Sequence, residues 1–311
     1  MIKNVSIIGL GALGMMYGKN LTEALGYENV SFIMNRERYE RNKDRKYICN
    51  GEEYRFHMVP VDEAGQADLI IVAVKYPGLS SALDDMASSI GDDTIIMSVM
   101  NGISSEGILA ERFGAEKLIY TVAQGMDAGK FGDELTFTKK GELYIGLGPG
   151  GRKEHIEEVA DVLKRANLAF VIEDDIMHRI WAKFMLNVGA NQTAMVYGTT
   201  YGGLVSDGEP NYIFVSAMRE VIAVAREEGI ILTEDELSMY VRLTGTLNPE
   251  LMPSMAQDRI NKKPSEVDAF SGALIKLAEK HGILVPVNRY LNRRAKEIEA
   301  EYTHRSVSPT I

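Results

Sequence analysis

The first fourteen residues constrain the fold of this chain more than any other segment does. Val5-Ser-Ile-Ile-Gly9 has the apolar residues of a short buried strand, and it runs directly into Gly9-Leu-Gly11-Ala-Leu-Gly14. The next segment, Met15–Leu25, has helical spacing of its apolar residues and ends before Gly26, a typical helix terminator. A strand, a G-x-G-x-x-G sequence and a helix in that order predict a parallel α/β unit whose loop holds a phosphate at the helix N-terminus.

Each glycine of this loop has its own role in binding a dinucleotide. Gly9 permits the tight turn, Gly11 lets the backbone approach the pyrophosphate, and Gly14 lets helix and strand pack closely. The alternative is a tight turn with no ligand. We assign cofactor contacts to the loop residues Gly9, Leu10, Gly11, Ala12, Leu13 and Gly14.

The second strand indicates which dinucleotide is preferred. Val30–Met34 is followed by Asn35 and Arg36, at the position where NAD-binding proteins usually carry an acidic residue for the ribose hydroxyl. A guanidinium there can pair with the 2′-phosphate of NADP, so Arg36 predicts NADPH. The alternatives are that a neighbouring arginine makes this contact, or that Arg36, Arg38 and Arg41 only form the solvated start of a helix.

Two further strands place polar residues at the same sheet edge. Asp68–Val74 and Thr94–Val99 are strongly apolar and show no alternation, as in the middle of a parallel sheet, and they lead into Lys75 and Asn101-Gly102. Ligands of open α/β sheets bind outside the carboxyl ends of the strands, which favours cofactor-site roles for Lys75 and Asn101. Either residue could instead be only a loop cap or a turn residue.

The remainder of the first half completes the sheet. Leu118–Ala123 predicts a strand, and Leu135–Thr138 with Glu142–Leu147 predicts an antiparallel addition that turns near Lys140-Gly141. A helix over Lys153–Ala166 and a strand over Leu168–Ile172 follow.

Strand patterns end at Glu173–Asp175, where we expect the domain boundary. The predicted fold is an α/β Rossmann-type dinucleotide-binding domain, residues 1–173, followed by an all-helical domain, residues 174–311. We predict helices over Tyr212–Glu228, Thr233–Gly245, Val267–His281 and Val287–Tyr302, and a polar tail over Thr303–Ile311.

A polar stripe marks the first helix of the second half. Lys183, Asn187 and Asn191 are spaced i, i+4, i+8 and therefore share one helix face, while the residues around them are mostly apolar. A buried ammonium is costly unless it meets a partner or a ligand, which makes the stripe a candidate site. The alternative is a lysine that extends to solvent, with two packing amides.

Composition excludes several classes of protein. The chain has 311 residues, a net charge of −10 and scattered basic residues, which excludes a nucleic-acid footprint. Its apolar runs are strand-sized, which predicts no membrane span, and the early first strand leaves no room for a signal peptide. One cysteine, Cys49, suits a reducing compartment, so we expect a cytoplasmic protein. The five histidines lack ligand spacing, and no metal site is predicted.

Six motifs in series resemble the ketopantoate reductase (2-dehydropantoate 2-reductase) family. They are Gly9–Gly14, Val74-Lys75, Asn101-Gly102, the Lys183/Asn187/Asn191 stripe, Ser254-Met-x-Gln-Asp258 and Glu266-x-Asp268. The resemblance extends from Val5 to about Glu301, although residues 125–141 match poorly and receive no role.

The resemblance implies an NADPH site in a cleft between the two domains and reduction of ketopantoate to pantoate, a step of pantothenate and coenzyme A biosynthesis. It implies Lys183 as catalytic acid, Asn187, Asn191, Ser254 and Glu266 as substrate ligands, and Lys75 and Asn101 as cleft residues. On helix physics alone, Ser254 is an ordinary cap, and Ser265 is the cap that places Glu266 in a first helical turn.

Other functions fit the same sequence. The rivals are a related NADP-dependent oxidoreductase of 2-keto or 3-hydroxy acids and a non-catalytic NADPH-binding sensor. His178 is an alternative acid that stands outside the stripe. A small 2-keto acid is the expected partner, and the sequence leaves a homodimer as one option.

Overall fold

The computed structural model of the protein describes residues 1–304. The chain divides into two compact units. The first comprises Met1–Asn101 and Ser105–Met177, and the second comprises Gly102–Ser104 and the chain from His178 onward. This division falls inside a helix, a few residues beyond the expected boundary at Glu173–Asp175.

An eight-stranded sheet forms the centre of the first unit. Its strand order is β12-β11-β8-β7-β6-β1-β2-β5, and β5, β2, β1, β6, β7 and β8 are parallel. The strands of the unit are β1 (Val5–Ile8), β2 (Val30–Met34), β3 (Tyr47–Cys49), β4 (Glu52–Tyr54), β5 (His57–Pro60), β6 (Leu69–Val72), β7 (Ile95–Ser98), β8 (Leu118–Met126), β9 (Gly129–Phe131), β10 (Glu134–Thr136), β11 (Lys140–Gly146) and β12 (Ala169–Ile172).

The central strands are apolar because they are covered on both faces. Every residue of β1, β6 and β7 is buried, and β1 lies between β2 and β6. The helices of this unit are α1 (Ala12–Leu25), α2 (Arg36–Asn42), α3 (Leu79–Met86), α4 (Ser105–Phe113) and α5 (Lys153–Arg165), with short 3₁₀ turns at Tyr27–Asn29, Tyr76–Gly78, Ala87–Ser89 and Ala115–Lys117. The α/β Rossmann-type first half is confirmed.

A second, small sheet corrects one prediction. Its order is β4-β3-β10-β9, so it joins two segments that are distant in sequence. The expected pairing of Leu135–Thr138 with Glu142–Leu147 is wrong, because β10 pairs with β9 and β3 whereas β11 pairs antiparallel with β8. Leu135 accounts for the difference: it is fully buried in the same apolar cluster as Tyr47 of β3.

The second unit is helical throughout its described part. Its helices are α6 (Ile176–Tyr197), α7 (Tyr201–Val205), α8 (Glu209–Glu227), α9 (Glu234–Gly245), α10 (Ser254–Ile260), a π-helical turn at Asp268–Gly272, α11 (Ala273–His281) and α12 (Pro286–His304). The predicted helical second half is confirmed, and α7 and α10 are additions to the prediction. The predicted tail was to begin at Thr303, but α12 continues through His304, and the rest of the tail lies outside the described residues.

A buried polar network fixes α6 within this unit. Gln192 has no exposed surface, and its Nε2 donates to the Val188 carbonyl (2.8 Å) and to Asn288 Oδ1 (3.3 Å). Its Oε1 accepts from the Ser271 N–H (3.2 Å). Glu220 accepts from the Asn288 N–H and side chain at the start of α12. Such a satisfied network allows one alignment of α6 against its neighbours.

No described helix combines the length and apolar character needed to cross a membrane.

Candidate functional site

The glycine loop joins β1 to α1, and its first and last glycines are required by the protein's own packing. Gly9 has φ +117°, and a Cβ there would lie 2.4 Å from the Ala73 carbonyl oxygen. A Cβ on Gly14 would lie 2.1 Å from the Gly9 carbonyl oxygen. Larger residues would therefore push the loop away from β6 or separate α1 from β1.

Gly11 differs from these two glycines. It is exposed, has φ −86°, and a Cβ there would meet only the Ala73 carbonyl oxygen at an ordinary 3.8 Å. The protein therefore has room for a side chain at Gly11, and a glycine keeps that room open beside α1. The first turn of α1 carries no acidic residue and no side-chain cap, which leaves this helix end suited to an anion. Leu10, Ala12 and Leu13 pack, partly buried, against the core of the unit.

Lys130 also reaches this loop, and sequence reasoning missed it. It lies on β9 of the small sheet, and its Nζ donates to the Leu10 carbonyl oxygen at 2.8 Å. The same ammonium lies 5.6 Å from the ring centroid of Tyr47. A cation is therefore held directly at the predicted phosphate loop.

Arg36 lies at the end of β2, as predicted, but it has two carboxylate partners. Asn35 caps α2, its Oδ1 accepting from the Arg38 N–H at 3.0 Å, so Arg36 is the first helical residue. The Arg36 guanidinium pairs with Asp62 and, at 2.7 Å, with Glu63. Hydrogen bonds to these two carboxylates raise the Arg36 pKa, and the bond from Arg36 lowers the Asp62 pKa.

The acidic pair is near Arg36 because of strand register. Met34, the last residue of β2, pairs with Pro60, the last residue of β5, so the residues after both strands meet at one edge. Arg36 is thus exposed but already ion-paired, which differs from the hypothesis of a merely solvated helix start.

Lys75 and Asn101 follow the adjacent strands β6 and β7, whose register pairs Val72 with Ser98. Lys75 is exposed and Asn101 is half-buried. Both therefore follow the carboxyl ends of neighbouring strands of the first unit.

A buried hydroxyl chain supports the segment after β7. Ser98 Oγ bonds to Ser105 Oγ at 2.9 Å, and Ser105 Oγ donates to Glu106 Oε2 at 2.8 Å. All three side chains are buried. This chain links the end of β7 to the start of α4 and so holds both ends of the loop that contains Asn101.

In the second unit, the polar stripe of α6 forms an ordered network. Asn191 Nδ2 donates to Asn187 Oδ1 at 3.2 Å, and Asn191 Oδ1 accepts from Ser254 Oγ at 2.9 Å. The Met255 N–H donates to the same Asn191 oxygen at 3.3 Å. A backbone N–H can only donate, so it fixes the orientation of the Asn191 amide and, through it, that of Asn187. Lys183 lies one turn earlier on the same helix and is half-buried.

This network corrects the interpretation of Ser254 as an ordinary cap. Ser254 is the first residue of α10, not the cap, and Asn191 supplies the capping oxygen from α6. Arg259 fastens the other end of α10, since its Nη1 donates to the Met195 and Val196 carbonyls near the end of α6 (2.6 and 2.9 Å). Two attachments hold α10 on α6 and keep Ser254 beside the asparagines.

Glu266 is buried, with 8% of its surface exposed, and precedes the π-helical turn. Val267 caps this turn, so Glu266 lies just before the helix rather than within its first turn, and its carbonyl accepts from the Phe270 N–H (3.1 Å). Ser265 Oγ accepts from the Val267 N–H at 3.3 Å, which is a local serine turn.

His178, the alternative acid, contacts a glutamate that caps a helix. Its Nε2 lies 2.8 Å from Glu236 Oε1, and Glu236 also completes the capping box of α9 with Thr233.

Across the described part of the chain, no group of three or more His, Cys, Asp or Glu residues is arranged to hold a metal ion.

Comparison with known proteins gives the chain its family. Sequence models of the ketopantoate reductase PanE/ApbA family match residues 5–150, and models of its C-terminal part match residues 175–299. A 2-dehydropantoate 2-reductase of Streptococcus pyogenes is 25% identical over 302 residues, covering 95% of this chain and 98% of that protein. One of Archaeoglobus fulgidus is 26% identical over 304 residues, covering 96% and 99%.

Solved structures agree with the sequence relatives. A PanE/ApbA family ketopantoate reductase from Ralstonia eutropha has a TM-score of 0.82 and 25% identity, covering 97% of this chain and 100% of its own. D-mandelate dehydrogenase with NADH and anilino(oxo)acetate has a similar fold, with a TM-score of 0.84, 24% identity and coverage of 96% and 99%. From these matches over both halves, the chain belongs to the ketopantoate reductase PanE/ApbA family of oxidoreductases.

Proposed function

We propose that this protein reduces 2-dehydropantoate (ketopantoate) to pantoate with NADPH, a step of pantothenate and coenzyme A biosynthesis. The observation that carries the proposal is the Asn187–Asn191–Ser254 network on the helix of Lys183. It presents two amides and a hydroxyl, held in fixed orientations, along the same helix as a half-buried ammonium. The relatives named 2-dehydropantoate 2-reductase support the choice of substrate.

A dinucleotide fits the first unit. Gly11 leaves open space that the protein's own packing does not require, beside a helix N-terminus without an acidic first turn. The diphosphate would lie there, against Gly9–Gly14. We propose Lys75 and Asn101 as further residues of this site, because they follow neighbouring strands at their carboxyl ends.

The choice of NADPH depends on Arg36. To bind the 2′-phosphate, Arg36 has to exchange Asp62 and Glu63 for the phosphate or accommodate all three. A dianionic phosphate competes well for a guanidinium, and it also meets repulsion from the two carboxylates. This acidic pair is the observation that favours an alternative, a reductase of the same architecture that uses NADH rather than NADPH.

Reduction of the keto acid needs a hydride at the carbonyl carbon and a proton at the carbonyl oxygen. The hydride is the chemistry that a bound reduced nicotinamide supplies. Lys183 Nζ would donate its proton to the oxygen and stabilise the negative charge that develops there. The oriented amides of Asn187 and Asn191 would position the substrate without changing the charge of the site.

Glu266 would select the substrate. Its buried carboxylate can accept a hydrogen bond from the C4 hydroxyl of ketopantoate, and it repels a substrate carboxylate. A site built to bind a hydroxyl discriminates strongly against analogues that lack it. The buried acid therefore favours ketopantoate over simple branched keto acids.

Oxidation of NADPH and of NADH, followed with a panel of keto acids, tests this function. Ketopantoate should have the highest kcat/KM, and ketoisovalerate and phenylglyoxylate should be much poorer. Faster turnover of phenylglyoxylate with NADH would favour the alternative reductase. Tight NADPH binding without turnover of any keto acid would favour the non-catalytic sensor.

A further inference from the structure

We infer that Lys130 binds the diphosphate of the dinucleotide, as a cation delivered to the glycine loop by the small sheet. This inference rests on the proposed dinucleotide site, but not on the choice between NADPH and NADH, because both carry the same diphosphate. It gives a role to the segment of residues 125–141, whose sequence indicated none.

The small sheet directs Lys130 inward. In the β9–β10 pairing, Lys130 lies opposite Leu135, and residues directly opposite each other share one face of a sheet. Leu135 is fully buried, whereas Phe131, the next residue of β9, is 63% exposed on the other face. Lysine is rarely found on the buried face of a sheet, so its presence there calls for an electrostatic role.

The contacts of Lys130 place its charge at the loop. Its Nζ donates to the carbonyl oxygen of Leu10, which lies between Gly9 and Gly11, although the two residues are 120 positions apart in sequence. The same Nζ lies 5.6 Å from the centroid of the Tyr47 ring. Burial raises the pKa of Tyr47 to about 12, so the phenol is neutral at pH 7.

The position suits a diphosphate chemically. The helix N-terminus supplies backbone N–H groups but no full charge, and the diphosphate is a dianion. An ammonium within hydrogen-bond distance of the loop backbone can contact a phosphate oxygen after rotation about its terminal side-chain bonds. Charge-assisted bonds of this kind are the strong ones in phosphate recognition.

The competing explanation is mechanical. Lys130 could serve only to attach the small sheet to the loop, in which case its loss would loosen the loop for every ligand. The two explanations differ in which ligands are affected. If Lys130 binds the diphosphate, its loss weakens only compounds that contain a diphosphate. If Lys130 only attaches the small sheet, its loss weakens adenosine binding as well.

The experiment measures ligand affinity rather than turnover. Lys130→Met removes the charge and keeps an apolar stem near Tyr47, and Lys130→Gln is the second variant should the first not fold. The matched control is Lys46→Gln, which removes a charge from an exposed lysine next to β3 that is paired with Glu53. NADPH and NADH are titrated by their fluorescence, and adenosine is titrated by NMR.

Lys130→Met should weaken the tighter of the two cofactors by about 10- to 100-fold, the usual effect of losing a charged hydrogen bond. Adenosine affinity and the Lys46→Gln variant should stay within about 3-fold of wild type, and the dependence of log Kd on log salt should become shallower, since one phosphate contact is lost. Unchanged cofactor affinity, or equal losses for cofactor and adenosine, would overturn the inference and leave the proposed function intact. Failure of the wild-type protein to bind either cofactor would overturn both.

Discussion

Replacement of Asn191 by alanine tests the hydrogen-bond network that joins Asn191 to Asn187, Ser254 and Met255. The change removes three hydrogen bonds, to Asn187, Ser254 and Met255. It also leaves the Met255 N–H without its acceptor in a residue that has no exposed surface. A buried unsatisfied donor costs about 1–3 kcal/mol, and each lost side-chain bond about 0.5–1.5 kcal/mol.

One effect opposes these losses. Alanine is the better helix former by about 0.5 kcal/mol, and Asn191 lies within α6. The net expectation is a loss of about 2–4 kcal/mol in the free energy of unfolding of the second unit. Asn187→Ala is the matched control, because it removes only one of the three bonds and gains the same helix propensity, so it should cost under about 1 kcal/mol.

Urea unfolding followed by tryptophan fluorescence is the assay. Trp181 is the chain's single tryptophan and lies buried on α6, so its signal reports on the second unit. With a urea m-value of about 2 kcal/mol/M, the midpoint should fall by roughly 1–2 M. Asn191→Asp should lie closer to wild type, since a carboxylate can still accept from Ser254 and Met255. Equal midpoints for Asn191→Ala and Asn187→Ala would show that the bonds from Ser254 and Met255 to Asn191 do not stabilise the second unit.

Four further outcomes follow from the site and its surroundings. Lys183→Ala should lower kcat by about 10²-fold or more while NADPH affinity is retained, and near-normal turnover would exclude Lys183 as the acid. Arg36→Ala should weaken NADPH far more than NADH in fluorescence titrations; equal losses would mean that Arg36 does not contact the 2′-phosphate. Glu266→Ala should cost ~2–4 kcal/mol in kcat/KM with ketopantoate and much less with ketoisovalerate, which lacks the hydroxyl; equal penalties would reduce Glu266 to a structural residue. The bonds from Lys280 and His281 lower the Glu228 pKa, so Glu228 stabilises the fold above the usual carboxyl pKa and loses this contribution as pH falls through its lowered value. Glu228→Gln should therefore be less stable than wild type at pH 7 in the Trp181 assay, with a difference that disappears in acid; a constant difference would contradict this linkage.

The parts of the fold that sequence predicted are those encoded by local pattern. The fully buried strands β1, β6 and β7 and the glycine loop were correctly located, because burial on both faces and a tight turn each leave a signature within a few residues. The i, i+4, i+8 stripe likewise placed Asn187 and Asn191 side by side. The short helices α7 and α10 were missed, since five and seven residues carry too little periodicity to detect.

The features that sequence did not predict depend on long-range pairing. Asp62 and Glu63 reach Arg36 only because β5 lies beside β2. The capping of α10 by Asn191 joins residues more than sixty positions apart. Lys130 reaches Leu10 because β10 pairs with β3, and no local pattern around residue 130 indicates that partner. Contacts of this kind are determined by topology, which a single sequence does not reveal.

The small sheet has a consequence for the order in which a nascent chain can mature. The β3–β4 hairpin, with its Asn50-Gly51 turn (φ 50° and 85°), leaves the ribosome well before β10, the only other strand that pairs with it among the described residues. An isolated two-stranded hairpin is marginally stable at best, so this hairpin becomes stable only after the later strand has paired with it. The strands β1, β2 and β5–β8 can already pair during that interval, since all of them precede β9. The Lys130 ammonium therefore reaches the glycine loop only after translation has passed β10.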